Sequence, residues 1–226
     1  VNPSITVGNY DHHTVYSGET FKNTINVNDN YGLNTVASTS DSAITMTRNN
    51  NELVGQAPNV TNSINKIVKV KATDKSGNES IVSFTVNIKP LNEKYRITTS
   101  SSNQTPVRIS NIQNNANLSI EDQNRVKSSL SMTKILGTRN YVNESNNDVR
   151  SQVVSKVNRS GNNATVNVTT TFSDGTTNTI TVPVKHVLLE VVPTTRTTVR
   201  GQQFPTGKGT SPNDFFSLRT GGPVDA

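Results

Sequence analysis

Residues 66–88 read KIVKVKATDKSGNESIVSFTVNI. Val68, Val70 and Ala72 fall on one side of an extended chain; Val82, Phe84, Val86 and Ile88 fall on one side of the next. Side chains of a strand alternate between two faces, so a period of two marks half-buried strands. Between the runs stands TDKSGNES, Thr73–Ser80, rich in side-chain oxygens. Two readings compete for it. In one, Asp74, Ser76, Asn78 and Glu79 surround a calcium ion, with Gly77 at the bend. Calcium takes about six to eight oxygens, usually including several carboxylates, and the spacing here is not that of an EF-hand. In the other, the stretch is a hairpin turn with Gly77 or Asn78 at positive φ. The flanking alternation favours the turn.

Working outward, ETFKNTINVND places Phe21, Asn23, Ile25 and Val27 on one face. Shorter strand candidates are Ile5–Val7, Thr14–Tyr16, Ala43–Thr47 and Glu52–Gly55. Roughly seven short strands parted by Gly, Asn, Asp and Pro turns are the pattern of a β-sandwich. Pro90 lacks a ladder donor and a polar stretch follows, so the first module is expected to span 1–91.

Residues 92–187 have another texture. YRITTS and TPVRIS read as strands, and a helix is then expected near 119–131. Ser119 is its N-cap, Asp122 follows three residues on, and Ile120, Gln123, Val126 and Leu130 share a face. Glu121 and Asp122 suit the positive end of the helix dipole. ATVNVTTTF and TNTITVPVKHV flank SDGT, where Asp174-Gly175 predicts a two-residue type I′ hairpin. Pro183 places its strand at an edge or with its N–H side free. Strands, one helix and further strands make a small α+β, grasp-like module. Residues 188–226 read as the truncated start of a further β module or as an ordered tail. The fold class expected is mainly β and multi-modular: an immunoglobulin/cadherin-like sandwich, then a grasp-like module with one short helix.

Composition limits function. Mean hydropathy is −0.54 and only 31% of residues are hydrophobic, which fits thin-cored β modules. The chain has no Cys, as in a cytosolic protein or a bacterial extracellular one. No run of ~18 apolar residues is present to insert in a membrane. The opening VNPSITVG lacks a basic and then apolar leader, so the chain reads as an internal piece. A pI near 9.6 invites nucleic acid. Yet the 22 Lys and Arg are scattered and aromatics make up 5%, unlike the clustered charge and stacking rings of nucleic-acid binders.

Catalytic constellations are sparse. His12, His13 and His186 are the three histidines, and no G-x-S-x-G elbow occurs. His12 and His13 would point to opposite faces of a strand, a poor arrangement for one metal. The C-terminal glycines around Lys208 match no phosphate loop. No catalytic or cofactor-binding residue is assigned. The candidates for a calcium site are Asp29, Asp74 and Asn78, and calcium is the one cofactor considered. For stacking sugars the candidates are Tyr10, Tyr16, Tyr31, Tyr95 and Tyr141.

TVYSG (14–18), INVNDNYG (25–32), LVGQAP (53–58) and the 66–88 hairpin resemble the immunoglobulin/cadherin-like modules of Gram-positive surface adhesins. LSIEDQNRVKSSLS (118–131) before ATVNVTTTFSDGTTNTITVPVKHV (164–187) resembles stalk modules in which a short helix precedes a hairpin. The Asn-rich, Cys-free wording is similar to staphylococcal surface proteins. The resemblance implies an extracellular, cell-surface location and a non-enzymatic spacer supporting adhesion or envelope integrity. Its partners would be neighbouring modules of the same chain. The alternative is a module that itself binds host matrix glycoprotein, glycan or anionic wall polymer. Neither involves nucleic acid.

Overall fold

The computed structural model describes residues 1–8, 12–40, 45–49, 51–135, 142–143, 147–187, 189–193 and 216–220. The chain gathers into two compact units. One comprises Val1–Thr98, Ser131–Val153 and Thr169–Thr179; the other comprises Thr99–Leu130, Val154–Val168 and Ile180–Ala226.

The first unit opens with β1 (Ser4–Val7), β2 (His12–Tyr16), β3 (Thr20–Asn28), β4 (Leu33–Ser40), β5 (Thr45–Asn49), β6 (Glu52–Gln56), β7 (Ile64–Asp74) and β8 (Glu79–Lys89). They form two sheets, ordered β1-β3-β6-β5 and β2-β8-β7-β4. The first run of chain is split between them: β1 pairs antiparallel with β3, and β2 pairs parallel with β8. This partition is that of an immunoglobulin/cadherin-like sandwich.

The 66–88 hairpin sets the register. Val68 lies opposite Phe84 and Val70 opposite Val82. Val68, Val70, Ala72, Phe84, Val86 and Ile88 are all buried, and most join Val15, Phe21, Ile25 and Leu53 in one core. Each fully buried side chain of this kind is worth about 1.5–3 kcal/mol. A slip of one residue would turn the whole set to solvent. Gly77, at φ 85°, closes the turn: its N–H donates to the Asp74 carbonyl, and Asp74 N–H donates to the Asn78 carbonyl. On β6, Gly55 faces Phe21 across the pair. The Phe21 ring lies so close over it that a Cβ there would fall among the ring carbons.

Further along come β9 (Tyr95–Thr99), β10 (Val107–Ile109), α1 (Ile120–Ser128), β11 (Leu130–Lys134), β12 (Val142–Asn143), β13 (Val149–Val154), β14 (Asn158–Ser160), β15 (Asn163–Phe172) and β16 (Thr177–His186). β9 pairs with β11, and β12 adds to β3 beside Thr20 and Phe21. The second unit buries Ile109, Val126, Val157, Ala164, Val166, Val168, Val182 and Val184. Helix α1 starts where expected: the Ser119 hydroxyl accepts the Asp122 N–H at 3.2 Å. It is shorter than expected, because Leu130 begins β11. Ile120 is 77% exposed, so Val126 is the apolar anchor of the helix and Ile120 is not.

The β15–β16 hairpin corrects one expectation and settles another in favour of one of its two alternatives, Pro183 having its N–H side free. Gly175 has φ 88° but Asp174 does not have positive φ, so the turn is not type I′. Phe172 pairs with Thr176 around a three-residue loop, as Asp74 pairs with Asn78. This is a type I turn followed by one left-handed glycine. β16 lies inside its sheet, between β10 and β15. Pro183 is tolerated because β10 covers only Val184–His186. Among the described residues of the C-terminal stretch, β17 (Leu189–Pro193) and β18 (Phe216–Thr220) pair antiparallel. Lys208 and its flanking glycines lie outside the described residues.

Candidate functional site

Pro90 ends β8, and Leu91–Glu93 form one 3₁₀ turn. Positions three apart on such a helix eclipse each other. Leu91 and Lys94 therefore point inward together and both are buried, while Glu93 faces solvent. The polar stretch expected here is for the most part an internal one.

Lys94 is 0% exposed. Its Nζ lies 2.6 Å from Asp148 Oδ2 and 2.9 Å from Glu19 Oε1. Both acids are buried. Glu19 Oε2 also accepts the Tyr16 backbone N–H at 2.8 Å, and the Tyr95 hydroxyl donates to Asp148 Oδ2 at 2.6 Å. Aromatic rings enclose the cluster. Tyr95 stacks on Phe172 with centroids 5.5 Å apart, the Lys94 ammonium sits 5.4 Å from the Tyr95 centroid, and Tyr16 and Leu91 belong to the same apolar cluster as the two rings. Burial pushes the Lys94 pKa down, but hydrogen bonds to Asp148 and Glu19 outweigh this and raise it. Burial, with the bond to Asp148, pushes the Tyr95 hydroxyl up to about 12.

The backbone around the cluster is tied down as well. Ile135 N–H donates to the Lys94 carbonyl at 2.7 Å, and Ser173 N–H donates to the Asp148 carbonyl at 2.8 Å. Asp174 Oδ2 accepts the Leu91 N–H at 2.6 Å, and Asp174 Oδ1 accepts from the Thr176 N–H and hydroxyl. Asn178 donates to the carbonyls of Asn92 and Tyr95. Every one of these residues belongs to the first compact unit.

Glu19, Lys94 and Asp148 carry no joint signal in the sequence. They lie far apart in the chain, in three unremarkable polar contexts. The one available signal was Lys94 three residues after Leu91 and four after a proline.

The calcium candidates sit elsewhere. Asp74 Oδ1 accepts the N–H groups of Ser76 and Asn78, both at 2.8 Å, and Oδ2 accepts the Asn78 side-chain amide at 2.7 Å. The bond from the Asn78 side chain, with the backbone donors, holds the Asp74 carboxyl below the usual carboxylate range. Asp29 Oδ1 accepts the Tyr31 N–H at 2.7 Å and borders a cleft of about 390 Å³ with Val1, Asn2, Ser4, Asn28 and Asn30. Glu79 pairs with Lys71. Among the described residues, no three His, Cys, Asp or Glu converge as a metal-binding group. Both carboxylate oxygens of Asp74, and the backbone carbonyl and side-chain amide of Asn78, are hydrogen-bonded within the turn.

Among the sugar-stacking candidates, Tyr16 and Tyr95 are corrected: both are buried, because they share one apolar cluster with Leu91 and Phe172. Tyr31 is 68% exposed. Tyr10 and Tyr141, and the side chains of His12 and His13, lie outside the described residues. His186 ends β16 and borders a cleft of about 470 Å³ with Ser110, Ser119, Glu121, Asp122 and Arg125. Asp122 is already engaged there, accepting from the Ser110 N–H at 3.0 Å and from its hydroxyl. Burial pushes Asp122 up, but the bonds from Ser110 and Ser119 outweigh this and lower it.

No family model matches the chain. Over 226 residues, 99% of its length, it is 50% identical to the extracellular matrix-binding protein EbhB of Staphylococcus aureus strain Newman. The chain resembles a segment of Ebh. The same identity and coverage hold for the Ebh of strain MRSA252 and the EbhB of strain N315. The chain spans 2% and 6% of those two proteins and 3% of the Newman one, so the Ebh relatives are far longer than the matched segment. Among solved structures it is similar to the D00-D0 domain of intimin, at 13% identity and TM-score 0.35, covering 80% of this chain and 100% of that one. It is also similar to a chimeric titin Z1Z2, at 15% identity and TM-score 0.31, covering 81% of this chain and 96% of that one.

Proposed function

We propose that the chain is a non-enzymatic spacer segment of an Ebh-like bacterial cell-surface adhesin. It is extracellular, and it supports adhesion or envelope integrity by holding other parts of the protein in place. The observation that carries this reading is the segment Pro90–Tyr95. It leaves the sandwich not as a free tether but buried and tied to Glu19, Asp148, Asp174 and Asn178. A chain that transmits position needs such fixed exits. We further propose the organisation of a module over 1–91, a stalk module over 92–187 and the start of another beyond 188, with neighbouring modules as its partners.

A second reading, direct binding of a host matrix glycoprotein, a glycan or an anionic wall polymer, draws on the names of the Ebh relatives and on the net charge of +6. Surface plasmon resonance over fibronectin, fibrinogen and wall teichoic acid separates the two. The spacer reading expects no signal above that of an unrelated domain of equal charge. Saturable binding to any one of these surfaces replaces it with the second.

A further inference from the structure

We propose that Lys94 and Asp148 join through an intramolecular isopeptide bond, with Glu19 as the acid–base group that forms it. The proposal rests on the buried cluster alone and is independent of the spacer reading.

Four features of the geometry point to it. First, lysine is almost never fully buried unless paired, and apolar side chains of similar volume would stabilise such a site as well or better than ions do. Second, Lys94 Nζ lies 2.6 Å from an Asp148 oxygen, which puts the carboxyl carbon one bond further on, where held partners react as one molecule. Third, a second carboxylate, Glu19, lies 2.9 Å from the same nitrogen, close enough to take and return protons. Fourth, the Tyr95 hydroxyl donates to Asp148 at 2.6 Å and can stabilise negative charge developing on that carboxyl. Lys94 and Glu19 have no side-chain exposure, so little water reaches the product to hydrolyse it.

The reaction balances with these groups only. The Lys94 ammonium gives a proton to Glu19. The freed electron pair on Nζ attacks Cγ of Asp148, forming a C–N bond and a tetrahedral centre held by Tyr95. Glu19 returns its proton to one oxygen of that centre. The C–O bond to this oxygen breaks, a second proton from nitrogen follows it through Glu19, and one water leaves. Ammonium and carboxylate have become an amide and water. Glu19 ends as it began, and nothing is oxidised or reduced.

Mass spectrometry of the intact chain under denaturing conditions tests this directly. The expected mass is that of the sequence less one water. Protease digestion is expected to yield one branched peptide containing both Lys94 and Asp148. Glu19→Gln, which keeps both partners, is expected to restore the full mass, as is Asp148→Ala. The wild-type measurement decides the question even if a variant fails to fold. A folded wild-type chain at full sequence mass after prolonged incubation overturns the proposal and leaves a non-covalent triad. A missing water that maps to any other residue pair overturns it equally.

Discussion

Asp174, in the turn between β15 and β16, accepts the backbone N–H of Leu91 at 2.6 Å across a separation of 83 residues. The Leu91 N–H sits where β8 has just ended and has no ladder partner. One carboxylate thus satisfies the exit of the sandwich and, through Thr176, its own turn. Hydrogen bonds to a charged group are worth about 1.5–3 kcal/mol each, and a donor left unmade costs further. Asp174→Ala is expected to destabilise the first unit by about 2–3 kcal/mol. Urea unfolding should show a lower midpoint, and an unchanged midpoint would mean that the bond contributes nothing net.

The same carboxylate sets an acid limit. Burial pushes the Asp174 pKa up, but the bonds from the Leu91 and Thr176 N–H groups and the Thr176 hydroxyl outweigh this and lower it. Asp122 is lowered in the same sense. A depressed folded-state pKa adds stability that is present above the unfolded value, near 3.8, and is lost as pH falls through the folded value. Thermal midpoints are therefore expected to hold above about pH 5 and to fall below about pH 4. Asp174→Asn and Asp122→Asn should each flatten that fall. If neither does, other carboxylates set the acid limit.

Gly55 is required by the Phe21 ring that lies over it. Gly55→Ala forces the ring or the β3–β6 pair to move, and overpacking of this kind costs about 1–3 kcal/mol. A drop in melting temperature is expected. Phe21→Leu placed on the Gly55→Ala background should be less harmful than the two single losses added together. Strict additivity would show that the two positions do not compete for space.

Calcium binding to TDKSGNES would have to displace donors that the turn already supplies to Asp74. The expected melting temperature is the same in millimolar calcium and in chelator. A folded-state ligand at about a hundred times its Kd would add ~2.7 kcal/mol, a shift easily seen. Such a shift, abolished by Asp29→Ala, would establish a calcium site after all.

What the sequence made legible was whatever repeats with a short period. The β7–β8 hairpin could be placed face by face because Val68, Val70, Phe84, Val86 and Ile88 alternate with polar partners. β4 gives no such signal: LNTVASTS carries Val36 among Thr, Ser and Ala, too few apolar residues to show a period. The first strands could be drawn, but not the split that sends β1 and β2 to different sheets, since pairing is a long-range matter. Tyr16 and Tyr95 read as surface rings in the sequence, because burial of an aromatic depends on what the fold brings against it. Glu19, Lys94 and Asp148 illustrate this most sharply. Each is a common residue in a polar setting, and the cluster they form exists only once β2, β8 and the segment before β13 have met.

The parallel pairing of β2 with β8 has a mechanical consequence. After β1 the chain runs into β2, and it leaves the sandwich through β8; the paired residues of these two strands run from His12–Thr85 to Tyr16–Lys89. Pulling the chain from both directions slides these strands past each other lengthwise. The rungs between them are then loaded in shear, all at once, rather than unzipped one by one. Resistance to such a pull depends on the ladder as a whole, so under tension this sandwich stays closed until several rungs fail together.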